Sequence, residues 1–371
     1  MSAPLRVGVV GCGTVSEPYL RNMKASPHVE TVACADQVPE RAFARAAEFS
    51  VPRACSVEDL LADPDVELVV NLTVPSAHAG ISMAALAAGR HVYTEKPLAT
   101  TREQGRNILE AAATTGLTVA CAPDTVLGAG IQTCLRLMEE RELGEPLAAA
   151  GFMLNRGPEN WHPNPSFFYQ PGGGPLLDVG PYYLTTLICL LGPVRQVAGM
   201  ARILYPERKA DRGPRQGETF NVSTPTFVAA LIEFESGAQA TLVTSFGIWG
   251  TGLPSIQVYC TQGILGVPDP NTFGGPVRIR SNDQDSVWRD VPLPYHHTNE
   301  RENFRGLGVI ETALAIRRGT PPRCSGELAY HVLDVMQSIL ESCDSGRHVK
   351  LESTSPSTQP LPLETGLEVA S

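Results

Sequence analysis

A chain of 371 residues, 43% of them apolar, is long enough to bury the cores of two domains. Its 29 Lys and Arg against 39 Asp and Glu leave a formal charge of −10, which argues against a nucleic-acid partner. No apolar run reaches membrane-spanning length and the N-terminus carries no basic, apolar signal region. The nine cysteines form no C-x-x-C pair and no metal-ligand spacing is apparent, so a cytoplasmic protein acting on small molecules, with no membrane partner, is expected.

The chain opens on Leu5-Arg6-Val7-Gly8-Val9-Val10-Gly11-Cys12-Gly13-Thr14-Val15-Ser16, a short Val-rich run that breaks into glycines and turns polar. This reads as a buried parallel strand followed by a G-x-G-x-x-small turn into a helix. Gly11 permits the tight turn, and Gly13 lets backbone approach a pyrophosphate at a helix N-terminus. Ser16 replaces the third glycine but is still small enough for close packing. Gly11, Cys12, Gly13, Thr14 and Val15 are therefore expected to hold a dinucleotide. A second strand, Glu30 to Ala35, ends in Asp36, about 20 residues beyond the loop, where a carboxylate accepts hydrogen bonds from a ribose 2′-hydroxyl and repels a 2′-phosphate. With no arginine until Arg41, NAD is favoured over NADP. A loop acid capping the helix at Pro39-Glu40 is the alternative use of Asp36.

Next come a helix through Phe49, a capped helix at Ser56 to Asp59, a strand from Val66 to Leu72 and an Ala-rich helix from Ser76 to near Gly89. A strand His91 to Thr94, a helix boxed by Thr101 and Gln104, and a strand Leu117 to Cys121 follow. Strands alternating with helices of this length predict right-handed crossovers and a doubly wound parallel sheet, a Rossmann domain over residues 1–123. Ligands of such sheets bind beyond the carboxyl ends of the strands. That points to Leu72 and Thr73 through His78, Glu95 and Lys96, and Asp124. Pro97 disfavours the α region for Lys96, holding the lysine extended at a strand tip with its ammonium toward the crevice.

After Asp124 the texture changes. A helix from Gly128 to Glu142 leads into strand-like runs with hairpin turns: Phe227 to Phe234, then Ala238 to Phe246, then Ile256 to Cys260. These predict an α+β domain over residues 124–352 with a large, mostly antiparallel open sheet, closed by helices from Glu300 to Arg318 and Gly326 to Ser345 with Ser325 as a cap. The uncovered sheet face predicts a homodimer or homotetramer, and the Ser/Thr/Pro-rich residues 353–371 predict a disordered tail. The sharpest stretch of this domain runs from Trp161 and His162 to Gly172-Gly173-Gly174 and on to Asp178 and Tyr182. Pro181 is tolerated only in a first helical turn, so a helix is expected near Asp178 with Asp178 and Tyr182 on one face. An N-terminal helix acid and an ordinary core tyrosine are their alternative roles. Trp161 and His162 lie in a loop suited to sugar stacking and hydroxyl bonding.

Together the glycine loop, Asp36, Thr73-Val74-Pro75 with His78, Glu95-Lys96-Pro97, and the triple glycine leading to Asp178-x-Gly180-x-Tyr182 resemble the Gfo/Idh/MocA oxidoreductases. The likeness runs from about Leu5 to Lys350. The resemblance implies that Lys96 is catalytic, that Tyr182 holds the general acid/base position and that Asp178 stands four residues before it. Many members carry histidine at that position; the tyrosine version is similar to the glucose-fructose oxidoreductases, the dihydrodiol dehydrogenases and certain sugar ketoreductases. The family's usual Asn-x-Arg after the last Rossmann strand is replaced by Asp124-Thr125-Val126.

The expected chemistry is NAD(P)-dependent oxidation of a secondary hydroxyl of a sugar, glycoside or cyclitol, or the reverse ketone reduction. Tyr182 takes the proton, and Lys96 stabilises the phenolate and the developing alkoxide, because a free phenol with a pKa of about 10 is a weak base near neutrality. Lys96, Asp124, Trp161, His162, Asp178 and Tyr182 are the expected substrate contacts. A glycoside-cleaving enzyme using transient oxidation, and a dinucleotide sensor without catalysis, are the alternatives.

Overall fold

The computed structural model describes residues 3–283, 285–299 and 303–367. Its first domain is a six-stranded parallel sheet of β1 (Leu5–Val10), β2 (Val29–Ala35), β3 (Ala54–Cys55), β4 (Leu68–Asn71), β5 (His91–Thr94) and β6 (Val119–Cys121), in the order β3-β2-β1-β4-β5-β6. Helices α1 (Ser16–Lys24), α2 (Pro39–Phe49), α3 (Val57–Ala62), α4 (Pro75–Ala87) and α5 (Arg102–Thr115) form the crossovers. Every residue of β4 is buried, as expected of a strand covered on both faces. The order reverses between β1 and β4, which puts the ligand crevice of such a sheet beside the glycine loop.

Local signals hold with small differences. Ser56 Oγ accepts the amide of Asp59 (3.0 Å), as a cap should. Thr101 Oγ1 accepts the amide of Gln104 (3.2 Å), but Gln104 Oε1 turns back to the amide of Thr100 instead of Thr101. The box thus closes one residue early. β3 has only two residues, too few to leave a periodic trace in the sequence.

The second domain begins with α6 (Ala129–Glu139) and builds a nine-stranded sheet from β7 (Pro146–Leu154), β8 (Val194–Arg202), β11 (Phe227–Phe234), β12 (Gln239–Ser245), β13 (Ile256–Cys260), β14 (Gly263–Val267), β15 (Val277–Ser281), β16 (Arg289–Val291) and β17 (Val349–Lys350). The short ribbon of β9 (Glu207–Lys209) and β10 (Thr219–Asn221) lies apart from it. The order is β16-β15-β14-β13-β7-β12-β11-β8-β17, antiparallel throughout except for the parallel pair β7 and β12. That exception arises because the chain leaves β7 through α7 (Pro175–Asp178) and α8 (Gly180–Leu191) and reaches β12 only after β8 and β11. Helices α8 and α10 (Gly326–Ser345) pack on one face, whereas Met200, Leu231 and Tyr259 are exposed on the other.

Two expectations are corrected. The helix expected from Glu300 is α9 (Leu307–Arg318); residues 300–302 lie outside the described residues, and 303–306 are irregular. Gly306 has φ +104°, and the side-chain amide of Asn22 donates to the carbonyls of Asn303 and Arg305 (2.8 Å each), which holds the turn out of the helix. The tail is ordered over residues 353–367, contrary to its composition. Its polar groups find fixed partners: Ser353 Oγ donates to Asp334 Oδ2 (2.6 Å), Leu361 N to Gln132 Oε1 (2.6 Å), and Tyr295 Oη to Leu361 O (2.7 Å). Leu361 and Leu367 are buried, so deletion after residue 352 is expected to remove several kcal/mol of apolar burial and lower Tm by at least about 5 °C. An unchanged melting curve would show that the strap contributes nothing.

Candidate active site

The glycine loop joins β1 to α1 against the Leu72 carbonyl. A Cβ on Gly11 would stand 2.7 Å from Leu72 O at φ +98°, so only glycine fits, whereas a Cβ on Gly13 would meet nothing within 4 Å. That open side of Gly13, with Thr14 and Val15 lining the adjoining cleft, fits a pyrophosphate approaching the N-terminus of α1. Asp36 sits half-buried at the end of β2, accepting the amides of Cys12 (2.8 Å) and Val38 (2.8 Å). The Cys12 amide is therefore spent on Asp36, which sets the shape of the loop. Arg45 on α2 also reaches this loop, its Nε donating to Ser16 Oγ (3.1 Å) while Nη1 pairs with Glu48.

From the glycine loop a cleft of about 870 Å³ runs to the second domain, within the usual range for small-molecule sites. Glu95 and Lys96, at the end of β5, form one wall. Glu95 is buried, accepting from Tyr19 Oη (2.8 Å) and from the Lys96 amide (2.9 Å). Lys96, joined to Pro97 by a cis peptide, extends across the cleft. Its Nζ donates to Asp178 Oδ1 (2.8 Å) and to the Asp178 carbonyl (2.7 Å), and lies 5.4 Å from the ring centre of Tyr182. Burial would lower the ammonium; Asp178, with Tyr182 and Glu95, outweighs that and holds it above its ordinary value, fully protonated at neutral pH.

The helix expected at Asp178 is broken there: α7 ends at Asp178, Val179 intervenes and α8 starts at Gly180. Asp178 and Tyr182 nevertheless face the same cleft, and Lys96 comes to both. Trp161 and His162 stand at the rim, stacked edge-on to one another and to Phe168. Tyr183 turns away to donate to Phe152 O (3.3 Å).

Of the expected contacts, Gly11, Cys12, Gly13, Asp36, Leu72 and Thr73 do not line this cleft, and His78 and Asp124 are buried away from it. His78 is buried, its ring nitrogens on Pro97 O (2.7 Å) and Thr73 O (3.0 Å). It ties the Thr73 turn to the lysine-bearing segment. Asp124 is not a substrate contact. It is 1% exposed beneath α9, where Oδ2 accepts the amides of Gly306 (2.8 Å) and Gly308 (3.1 Å), so that the helix's first free N–H groups claim it. Burial pushes its carboxyl up to about 6 against the lowering effect of those amides and Arg305. An acid whose folded value exceeds its unfolded value of about 3.9 adds stability that is complete below pH ~4 and lost as pH rises through about 6. Urea unfolding across pH 4 to 7 is expected to show wild type losing on the order of 2 kcal/mol relative to Asp124→Asn. Parallel curves would refute this.

Sequence reasoning missed the segment before α9. Arg305 enters the cleft, with Nη2 donating to Tyr182 Oη (3.2 Å) and Asn271 Oδ1 (2.8 Å), and Nη1 to Asn303 Oδ1 (3.0 Å). No motif marks it; only the departure at Asp124 hinted that this side of the site is built differently.

A doubly wound nucleotide-type domain that delivers a lysine into a cleft roofed by an open-sheet domain defines a class of two-domain oxidoreductases. Residues 5–122 match the family model described as "Oxidoreductase family, NAD-binding Rossmann fold", and residues 131–266 match the GFO/IDH/MocA C-terminal domain. The chain belongs to the Gfo/Idh/MocA family of oxidoreductases. It is 31% identical over 343 residues to a dTDP-3,4-didehydro-2,6-dideoxy-alpha-D-glucose 3-reductase of Streptomyces antibioticus, covering 85% of this chain and 98% of that protein. It is 30% identical to a 1,5-anhydro-D-fructose reductase of Ensifer adhaerens over 199 residues, 52% of this chain and only 59% of that protein. In fold it is similar to levoglucosan dehydrogenase, with a TM-score of 0.83 at 21% identity, covering 95% of this chain and 100% of that one.

Proposed function

We propose that the chain is an NAD-dependent dehydrogenase or reductase acting on a secondary hydroxyl, or the corresponding ketone, of a sugar, glycoside or cyclitol. The observation that carries this reading is the bond from Lys96 to Asp178, which brings the strand-tip ammonium of the first domain beside the Tyr182 ring of the second. Sugar reductases among the relatives, named above, support the substrate class. A nicotinamide dinucleotide held by Gly11 to Val15, Asp36, Thr73 and Glu95 would supply hydride acceptance.

The remaining chemistry belongs to the chain. Tyr182 accepts the hydroxyl proton in oxidation and returns it in reduction. The ammonium of Lys96 has three N–H bonds; two are held by Asp178, and the third serves the substrate oxygen as charge develops there. Asp178 keeps that donor aimed, and Trp161 with His162 at the rim offers a stacking surface and a polar edge for a ring. The open sheet face carrying Met200 and Leu231 fits a homo-oligomer.

Mass spectrometry of nucleotide released from the purified protein, followed by reduced-nicotinamide absorbance against sugars, inositols and glycosides, tests the reading. Net NADH formation with a polyol supports it. Aglycone release without net NADH would replace it with cleavage through transient oxidation, and nucleotide binding with no hydride transfer across the panel would leave a sensor.

A further inference from the structure

We propose that Arg305 is a catalytic residue, the cation that stabilises negative charge on the Tyr182 phenol oxygen, so that base strength at Tyr182 comes from Arg305 while Lys96 serves the substrate. This rests on the dehydrogenase reading above and divides its labour. Among the described residues the hydrogen bond to Tyr182 Oη comes from Arg305 Nη2, at 3.2 Å. Lys96 lies over the ring instead, with two of its donors on Asp178. A single ammonium in that position cannot both bond Asp178 twice and serve phenol and substrate together. The two cations flank the tyrosine: Lys96 from the end of β5, Arg305 from the turn before α9.

The guanidinium is held as a fixed charge. Asn271 and Asn303 orient its two ends. Its backbone is pinned by Asn22 on α1 of the first domain, which donates to the carbonyls on either side of Phe304, and by Asp124, which accepts the Gly306 amide. Gly306 makes this turn possible, since at φ +104° a Cβ would stand 3.2 Å from Tyr19 O. Burial would lower the guanidinium, but Tyr182, Glu95 and Asp124 outweigh it, so Arg305 stays protonated at every working pH. It neither gives nor takes a proton. Other titratable groups lining the cleft with Tyr182 are Asp178, Glu95, Glu17, Asp269, His162 and Tyr183, and the cation on the phenol oxygen is Arg305.

The step balances with these parts. The phenol first loses its proton to solvent, leaving phenolate against Arg305. The substrate O–H bond then breaks with its proton going to Tyr182 Oη. A bound oxidised nicotinamide would accept the hydride released as the C–H bond breaks and the carbonyl forms.

The test is ultraviolet difference titration of tyrosinate in the full-length protein, each form read against its own Tyr182→Phe blank, beside pH profiles of kcat and KM. In Arg305→Gln the Tyr182 midpoint is expected at least about one pH unit higher than in wild type, with kcat falling below the new midpoint, recovering above it, and KM little changed. Asn22→Ala removes no cleft side chain, frees the backbone of Asn303 and Arg305 together, and is expected to move the midpoint the same way by less; it also answers the question if Arg305→Gln does not fold. A midpoint unmoved in both variants, or one moved by Lys96→Met and not by Arg305→Gln, overturns the proposal. If no alcohol is oxidised, the dehydrogenase reading fails while the titration still decides whether Arg305 governs Tyr182.

Discussion

Lys96→Met is expected to slow hydride transfer in a single turnover about 10³-fold while reduced-nucleotide binding, followed by fluorescence, changes little. The substitution removes the charge aimed at the substrate oxygen, a contribution of 10²–10³ where a donor meets developing negative charge away from water. It also strands the Asp178 carboxylate, whose ion pair with Lys96 is largely shielded from solvent, and an unpaired acid beside that oxygen opposes alkoxide formation further. The nucleotide loop lies at the other end of the cleft and keeps its own contacts, so binding and chemistry separate cleanly. Lys96→Arg is not expected to rescue, because a planar fork on Asp178 projects its remaining donors differently from an ammonium. A rate within tenfold of wild type for Lys96→Met would remove Lys96 from the chemical step.

Tyr182→Phe is expected to lower kcat between 10² and 10⁴-fold with the fold intact. The ring is 7% exposed and packed, and phenylalanine fills the same space, so thermal stability should stay near wild type. What disappears is the oxygen facing Arg305, and with it the local proton acceptor. Phenylalanine also leaves Arg305 with asparagine oxygens and the charges of Glu95 and Asp124, none of them at the position of the lost phenol oxygen. Retention of the wild-type rate would mean that water or another group moves the proton.

The nucleotide-binding half was readable because its signals are local: a glycine that must turn, an acid at the end of the next strand, a proline that stiffens a lysine. Each maps onto one backbone requirement, and the sheet order follows from chain order and crossover handedness. The substrate half was readable only where residues sit a helical turn apart, as Asp178 and Tyr182 do. Arg305 escaped because it approaches from 123 residues away along the chain, placed by Asn22 and Asp124 through backbone atoms that leave no residue pattern. Asp124 misled for the related reason that its position after a strand was right while its direction was not. The tail misled through composition, since proline and serine are compatible with order once carbonyl and hydroxyl groups meet fixed partners such as Tyr295 and Asp334.

Arg102 on α5 donates to Asp334 (2.6 Å) and Ser338 (2.6 Å) and pairs with Glu341, all on α10. On the far side Arg317 of α9 pairs with Glu67 (2.9 Å), and the amide of Cys121 donates to Cys324 O (2.8 Å). With the halves riveted at both flanks and Asn22 anchoring the centre, a clamshell gape would break many bonds at once. The rim segment bearing Trp161 lines the same cleft and takes no part in these ties between the halves.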